Sequence, residues 1–68
     1  MPVVQVNFWE GVGDKQVNAM IRGITDVMVG IGVPEQAVEV IIYEIPKTRW
    51  GVGGKPATEA MPDVQPPH

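Results

Sequence analysis

The chain has no cysteine, and its single histidine, His68, is the last of 68 residues. Disulfide staples, thiolate metal sites and nucleophilic triads built around a histidine base are therefore excluded by composition. Positive charge is also scarce. Five Lys and Arg stand against eight Asp and Glu, and the resulting net charge of -3 argues against a nucleic-acid partner. Long apolar runs are missing too: the longest apolar region, in the twenties and early thirties, is interrupted by Arg22, Thr25 and Asp26, so no membrane span is expected. The start lacks a basic segment, and its apolar residues alternate with Gln5 and Asn7 before reaching Glu10, so no secretory leader is read there and a cytoplasmic location is expected.

What is present is a hydrophobic fraction of 44% against a charged fraction of 19%, a balance that suits a globular subunit better than a disordered chain. A chain of this length sits near the lower limit at which one domain buries enough apolar surface to be stable alone. With disulfides and thiolate metal sites excluded, oligomerisation is the remaining staple.

Residues 3–9, Val3-Val4-Gln5-Val6-Asn7-Phe8-Trp9, are β-branched and aromatic with partial period-two alternation, and predict a strand. Val4, Val6 and Phe8 share one face, expected to meet a helix; Val3, Gln5, Asn7 and Trp9 share the other. The segment Glu10-Gly11-Val12-Gly13-Asp14 breaks the strand and offers Gly13 or Asp14 as a helix N-cap. From Lys15 to Ile31 the apolar positions Val17, Met20, Ile21, Ile24, Val27, Met28 and Ile31 follow helical spacing, with Asn18, Arg22, Thr25 and Asp26 off the stripe. Gly30, Gly32 and Pro34 end the helix. Val38–Ile45, broken by Glu39 and Glu44, predicts a second strand. Strand, long helix, strand is a β-α-β unit with parallel strands, and its open edges and bare sheet face are where other subunits are expected to pack. Residues 46–55 predict a loop with a short hairpin. From Pro56 the composition turns to Pro, Ala, Glu and Asp, so residues 1–55 are read as one domain and 56–68 as an extended tail, solvated or lying on a neighbour.

The start carries a candidate for chemistry. While Met1 is attached, the Pro2 nitrogen is a tertiary amide, neither basic nor a donor. Freed, it is a secondary amine. An α-amino group titrates near ~7.7 to 8.0, and partial burial without a counter-charge lowers that value by disfavouring the cation, so such an amine can act as a base near neutral pH. Against this stands the plain fact that many chains begin Met-Pro by chance. Gly51-Val52-Gly53-Gly54-Lys55 is not a phosphate-binding loop, because Pro56 follows the lysine, no helix starts there and the glycine spacing is wrong. Trp50 is either a site wall or interface packing.

Taken together, the Met-Pro start, the valine-rich strand ending in Glu10-Gly11, the helix opening Asp14-Lys15-Gln16, the strand Val38-Glu39-Val40-Ile41-Ile42-Tyr43-Glu44 and the segment Trp50-Gly51-Val52-Gly53-Gly54 resemble 4-oxalocrotonate tautomerase over residues 2–55. The resemblance implies an α/β subunit of one β-α-β unit plus a short C-terminal hairpin, assembling as dimers into a homo-hexamer or a hetero-hexamer. It implies a cofactor-independent isomerase of aromatic catabolism in which Pro2 is the general base, moving a proton on a 2-hydroxydienoate or α-keto acid. Trp50 matches an aromatic residue that walls the site and keeps it dry. Arg49, Glu39 and Trp9 complete the candidate substrate-binding set, and no metal or organic cofactor is expected.

Two departures qualify the resemblance. The family prototype has carboxylate-binding arginines where this chain has Val12 and Glu39. Such donors are worth ~2.7 to 4 kcal/mol each in comparable oxyanion sites. Arg49 or Lys47 is then a substitute cation, with Arg22 less favoured, or a partner subunit brings the arginines. Alternatively, Glu39 orients a water as in the hydratase and dehalogenase branches, or is simply a solvent-facing strand residue or intersubunit ion pair.

Overall fold

In the computed structural model, which describes residues 1–67, the period-two segment forms β1 (Val3–Trp9), followed by α1 (Asp14–Gly30), β2 (Glu39–Ile45), β3 (Gly51–Val52), β4 (Lys55–Pro56) and a single helical turn α2 (Ala57–Ala60). Short 3-10 turns at Glu35–Ala37 and Lys47–Arg49 bracket β2. β1 and β2 pair in parallel over their full length, from Val3 opposite Glu39 to Trp9 opposite Ile45. The expected β-α-β unit with parallel strands and C-terminal hairpin is thus the observed fold.

The register sorts the side chains. Val4, Val6 and Phe8 share a sheet face with Val40 and Ile42, and all five are half-buried. On the opposite face Val3, Ile41 and Tyr43 are exposed beside Gln5, Asn7 and Glu39. Gly13 is the N-cap of α1 with extended backbone, and Asp14 places a carboxylate in the first turn, favourable to the helix dipole. At the far end Gly32 adopts φ +107°, its N–H donates to the Val29 carbonyl at 3.0 Å, and the Val33 N–H reaches the Met28 carbonyl at 3.1 Å. This is a glycine-terminated helix stop of the Schellman type.

The helix stripe differs from its sequence reading. Thr25, expected off the stripe, is buried, whereas Val27 and Ile31, expected on it, are 64% and 75% exposed. Two strands cover only a narrow sector of the helix, so the covered residues are Gln16, Val17, Met20, Ile24, Thr25 and Met28, and the rest of the apolar stripe faces outward.

Residues 56–67 also differ from the expected extended tail. Pro56 belongs to β4, paired with Gly51 across a two-residue turn in which Gly53 and Gly54 have φ +60° and +87°. Glycine fills both central positions of such a turn without strain. The Ala57 N–H then donates to the Trp50 carbonyl at 2.7 Å, and Ala57 is fully buried. The chain folds back, Pro66 is buried, and the Pro67 carbonyl accepts from the Gly13 N–H at 3.3 Å. Prolines that forbid regular structure still pack as apolar wedges, which composition alone conceals. His68, the last tail residue, lies outside the described residues.

The core of one subunit is small. Among the described residues the buried hydrophobic side chains are Val12 and Ala57, and no large side chain is fully buried. The radius of gyration is 14.5 Å, against about 11 Å for a compact chain of this length, and the accessible surface is 4726 Å², against about 4200 Å² for a monomer of this mass. The excess agrees with a subunit that finishes its burial elsewhere.

Candidate active site

Pro2 stands immediately before β1 and is half-buried. Its carbonyl accepts the Glu39 N–H at 3.0 Å, the bond that starts the parallel ladder. Met1 is present, and its ammonium donates to the Ala37 carbonyl at 2.7 Å, so the Pro2 nitrogen here is an amide. Glu39 is exposed, opposite Val3 and next to Pro2 along the sheet edge. Two of the candidate residues, Pro2 and Glu39, therefore meet at the entrance to the sheet.

The others gather at the opposite end. Trp9 closes β1, and Trp50 follows the 3-10 turn Lys47–Arg49; their rings meet edge to face, with centroids 6.0 Å apart and planes at 78°. Asn7, Phe8, Trp9 and Trp50 line an open depression of about 170 Å³. Beside it, Asn7, Ile45, Arg49, Trp50 and Gly51 line a second cleft of about 320 Å³. The volume suits a small ligand. Arg49 is exposed and lines this cleft, and its guanidinium makes a long, 3.5 Å contact to the Thr48 carbonyl.

Seven residues of strand separate the two groups. At ~3.3 Å rise per residue, Pro2 and Trp9 are about 23 Å apart. One subunit therefore brings Pro2 to Glu39 and Trp50 to Trp9 and Arg49, but does not bring the two groups together.

Lys47 and Arg22, considered as substitute cations, are already engaged. Lys47 Nζ donates to the carbonyls of Met61 and Val64 at 2.6 and 2.8 Å and lies 4.6 Å from the centroid of the Trp9 ring. Arg22 pairs with Asp26 at 2.8 Å and Glu35 at 2.6 Å on the helix surface, and hydrogen bonds from its guanidinium to Glu35 and then to Asp26 raise its pKa. Val12, at one of the two divergent positions, is buried, whereas Glu39 is open to solvent. Asn7 lines both clefts and was missed as a site residue; its place on the Trp9 face of the strand was the signal available.

The fold and these residues have close relatives. A model of the tautomerase enzyme family matches residues 2–60. The 2-hydroxymuconate tautomerase of Pseudomonas putida is 38% identical over 60 residues, covering 87% of this chain and 95% of that protein. The structure of a 4-oxalocrotonate tautomerase homologue of the tomaymycin biosynthetic pathway superposes with a TM-score of 0.81 at 34% identity, covering 91% of this chain and 100% of the other. A heterohexamer 4-oxalocrotonate tautomerase from Chloroflexus aurantiacus superposes with a TM-score of 0.77 at 27% identity, covering 96% and 100%. The match of the family model across nearly the whole β-α-β unit and hairpin, with the shared fold, makes this chain a member of the tautomerase family in its 4-oxalocrotonate tautomerase group, an isomerase at the level of the family.

Proposed function

We propose that the protein is a cofactor-independent keto-enol tautomerase in which Pro2, freed by removal of Met1, is the general base. The observation that carries this reading is the fixed position of Pro2. Its carbonyl is tied to the Glu39 N–H at 3.0 Å and its ring is half-buried, so hydrolysis of the preceding peptide bond leaves a secondary amine anchored at the mouth of β1.

The substrate class is an enolic 2-hydroxydienoate or an enolisable α-keto acid, as in the catabolism of aromatic rings. The neutral amine takes the proton of the 2-hydroxyl group, the C2–O bond becomes a carbonyl, and the electron pair moves to C3 or C5. The ammonium returns the proton to that carbon. Nothing is oxidised or reduced, and the base ends as it began.

The 23 Å gap implies that a complete site is shared between subunits. Pro2 and Glu39 come from one copy, and Trp50, Trp9 and Arg49 from another. Arg49 holds the substrate carboxylate, and the indoles exclude water. A hexamer built as a trimer of dimers is the assembly favoured by the exposed sheet face and the family membership. A hetero-hexamer is the variant, as in the Chloroflexus aurantiacus relative, whose own structure is a heterohexamer.

Glu39 next to Pro2 supports a second reading, hydration or dehalogenation, in which its carboxylate orients a water. The deciding experiment assays the mature protein and Pro2→Ala for ketonisation of 2-hydroxymuconate and phenylenolpyruvate, and for halide release from a 3-haloacrylate. Pro2-dependent ketonisation supports the tautomerase. Halide release without ketonisation transfers the assignment to the second reading.

A further inference from the structure

We propose that Lys47 is a positioning residue for the aromatic wall of the site, joining the chain at residues 61–64 to the Trp9–Trp50 pair. The effect on substrate rests on the tautomerase reading; the effect on the indoles does not.

The Lys47 ammonium has three donors, and two are used on the carbonyls of Met61 and Val64 at 2.6 and 2.8 Å. The same nitrogen lies 4.6 Å from the centroid of the Trp9 ring, within the range of a cation over an aromatic face. Trp9 needs such a contact. Its Nε1 is buried and has no hydrogen-bond partner among the described residues, so the usual anchor of an indole is missing. What orients the ring is the ammonium and the edge-to-face contact with Trp50.

Trp50 lines both clefts, so the orientation of Trp9 carries through to the surface that a substrate meets. Lys47 itself lines neither cleft. Its charge reaches substrate only through the two rings. The arrangement also gives the C-terminal residues a purpose: they supply carbonyl oxygens that hold the ammonium over Trp9.

The test uses the full-length mature protein with Lys47→Met, Lys47→Arg and, as control, Lys55→Met at the exposed hairpin. Near-ultraviolet circular dichroism and acrylamide quenching of tryptophan emission are recorded without substrate. Ketonisation of phenylenolpyruvate then gives kcat and KM. We expect Lys47→Met to weaken the tryptophan dichroism and increase quenching, and to raise KM roughly fivefold with kcat within about twofold, the size of one lost cation–aromatic contact. Lys47→Arg restores both, because a guanidinium stacks on indole and donates to two carbonyls. Should Lys47→Met not fold, Lys47→Gln, which keeps a donor but no charge, reads the same quantities. Wild-type dichroism and quenching in the charge-free variant overturn the proposal, as does a fall in kcat at constant KM. If the protein turns over no enol at all, the spectroscopic comparison still decides the role of Lys47 independently of the tautomerase reading.

Discussion

Pro2 and Trp50 lie at opposite ends of the same parallel pair of strands. Pro2 is tied through its carbonyl to the Glu39 N–H at 3.0 Å, and Trp50 is packed at 6.0 Å from Trp9 at the other end. A strand of this length puts about 23 Å between Pro2 and Trp9, the neighbour of Trp50, too far for Pro2 and the indole pair to touch one small substrate. If both serve one site, they do so from different copies of the chain.

Mixed oligomers test that sharing. Pro2→Ala and Trp50→Ala proteins, each impaired alone, are dissociated, mixed in equal amounts and reassembled. Random assembly leaves about a quarter of shared sites with both native residues, so activity returns to about that fraction. A mixture that stays at the level of the separate variants contradicts the shared site.

If Trp50 serves as the apolar wall of the proposed site, shape and area should count for more than its N–H. Trp50→Phe is expected to keep KM within about threefold of the parent, and Trp50→Ala to raise it about tenfold or more. Steady-state ketonisation of a single enol by the three proteins distinguishes this from a hydrogen-bonding role, in which the phenylalanine variant falls as far as the alanine one.

Glu39 places a negative charge beside Pro2 at a position open to solvent. Glu39→Gln removes it with little change in shape. KM for a dicarboxylate enol should fall about threefold, with a smaller change for a monocarboxylate, and the difference should narrow as salt screens the exposed charge. Equal KM values for both substrates in both proteins would show that Glu39 faces away from the bound substrate.

Gly11 turns the chain beside Pro66 of the returning C-terminal segment. Its φ of +106° is a backbone conformation that L side chains rarely adopt, and a Cβ built there lies 3.4 Å from Pro66 Cγ. Gly11→Ala should destabilise the protein by about 1 to 2 kcal/mol. Denaturant unfolding monitored by tryptophan emission measures it, and an unchanged midpoint would contradict the left-handed backbone at Gly11.

Much of this fold was legible because each element is written in one repeat. Alternation from Val3 to Trp9, helical spacing from Val17 to Met28 and the Gly53-Gly54 turn each depend on neighbours in sequence. Thr25 was misplaced because which part of a wide apolar stripe is covered depends on how many strands lie beneath it. The path of residues 56–67 was hidden for a different reason. Lys47 holds that segment through the carbonyls of Met61 and Val64, and every residue type offers a carbonyl. For the site, the candidates Pro2, Glu39, Arg49, Trp9 and Trp50 could be named from the chain, but their division between two ends of the sheet required the register. Lys47 resembled a free cation in sequence, and only the tertiary contacts show its charge already engaged.

The most direct test of the central claim is an intact-mass measurement of the purified protein, followed on the same sample by ultraviolet assay of 2-hydroxymuconate and phenylenolpyruvate ketonisation, with Pro2→Ala alongside. The account predicts a mass lacking Met1 and turnover of at least one enol that Pro2→Ala lowers by about 100-fold or more, within the range expected for loss of a general base. A mature chain with no turnover, or with turnover that survives Pro2→Ala unchanged, would contradict Pro2 as the base.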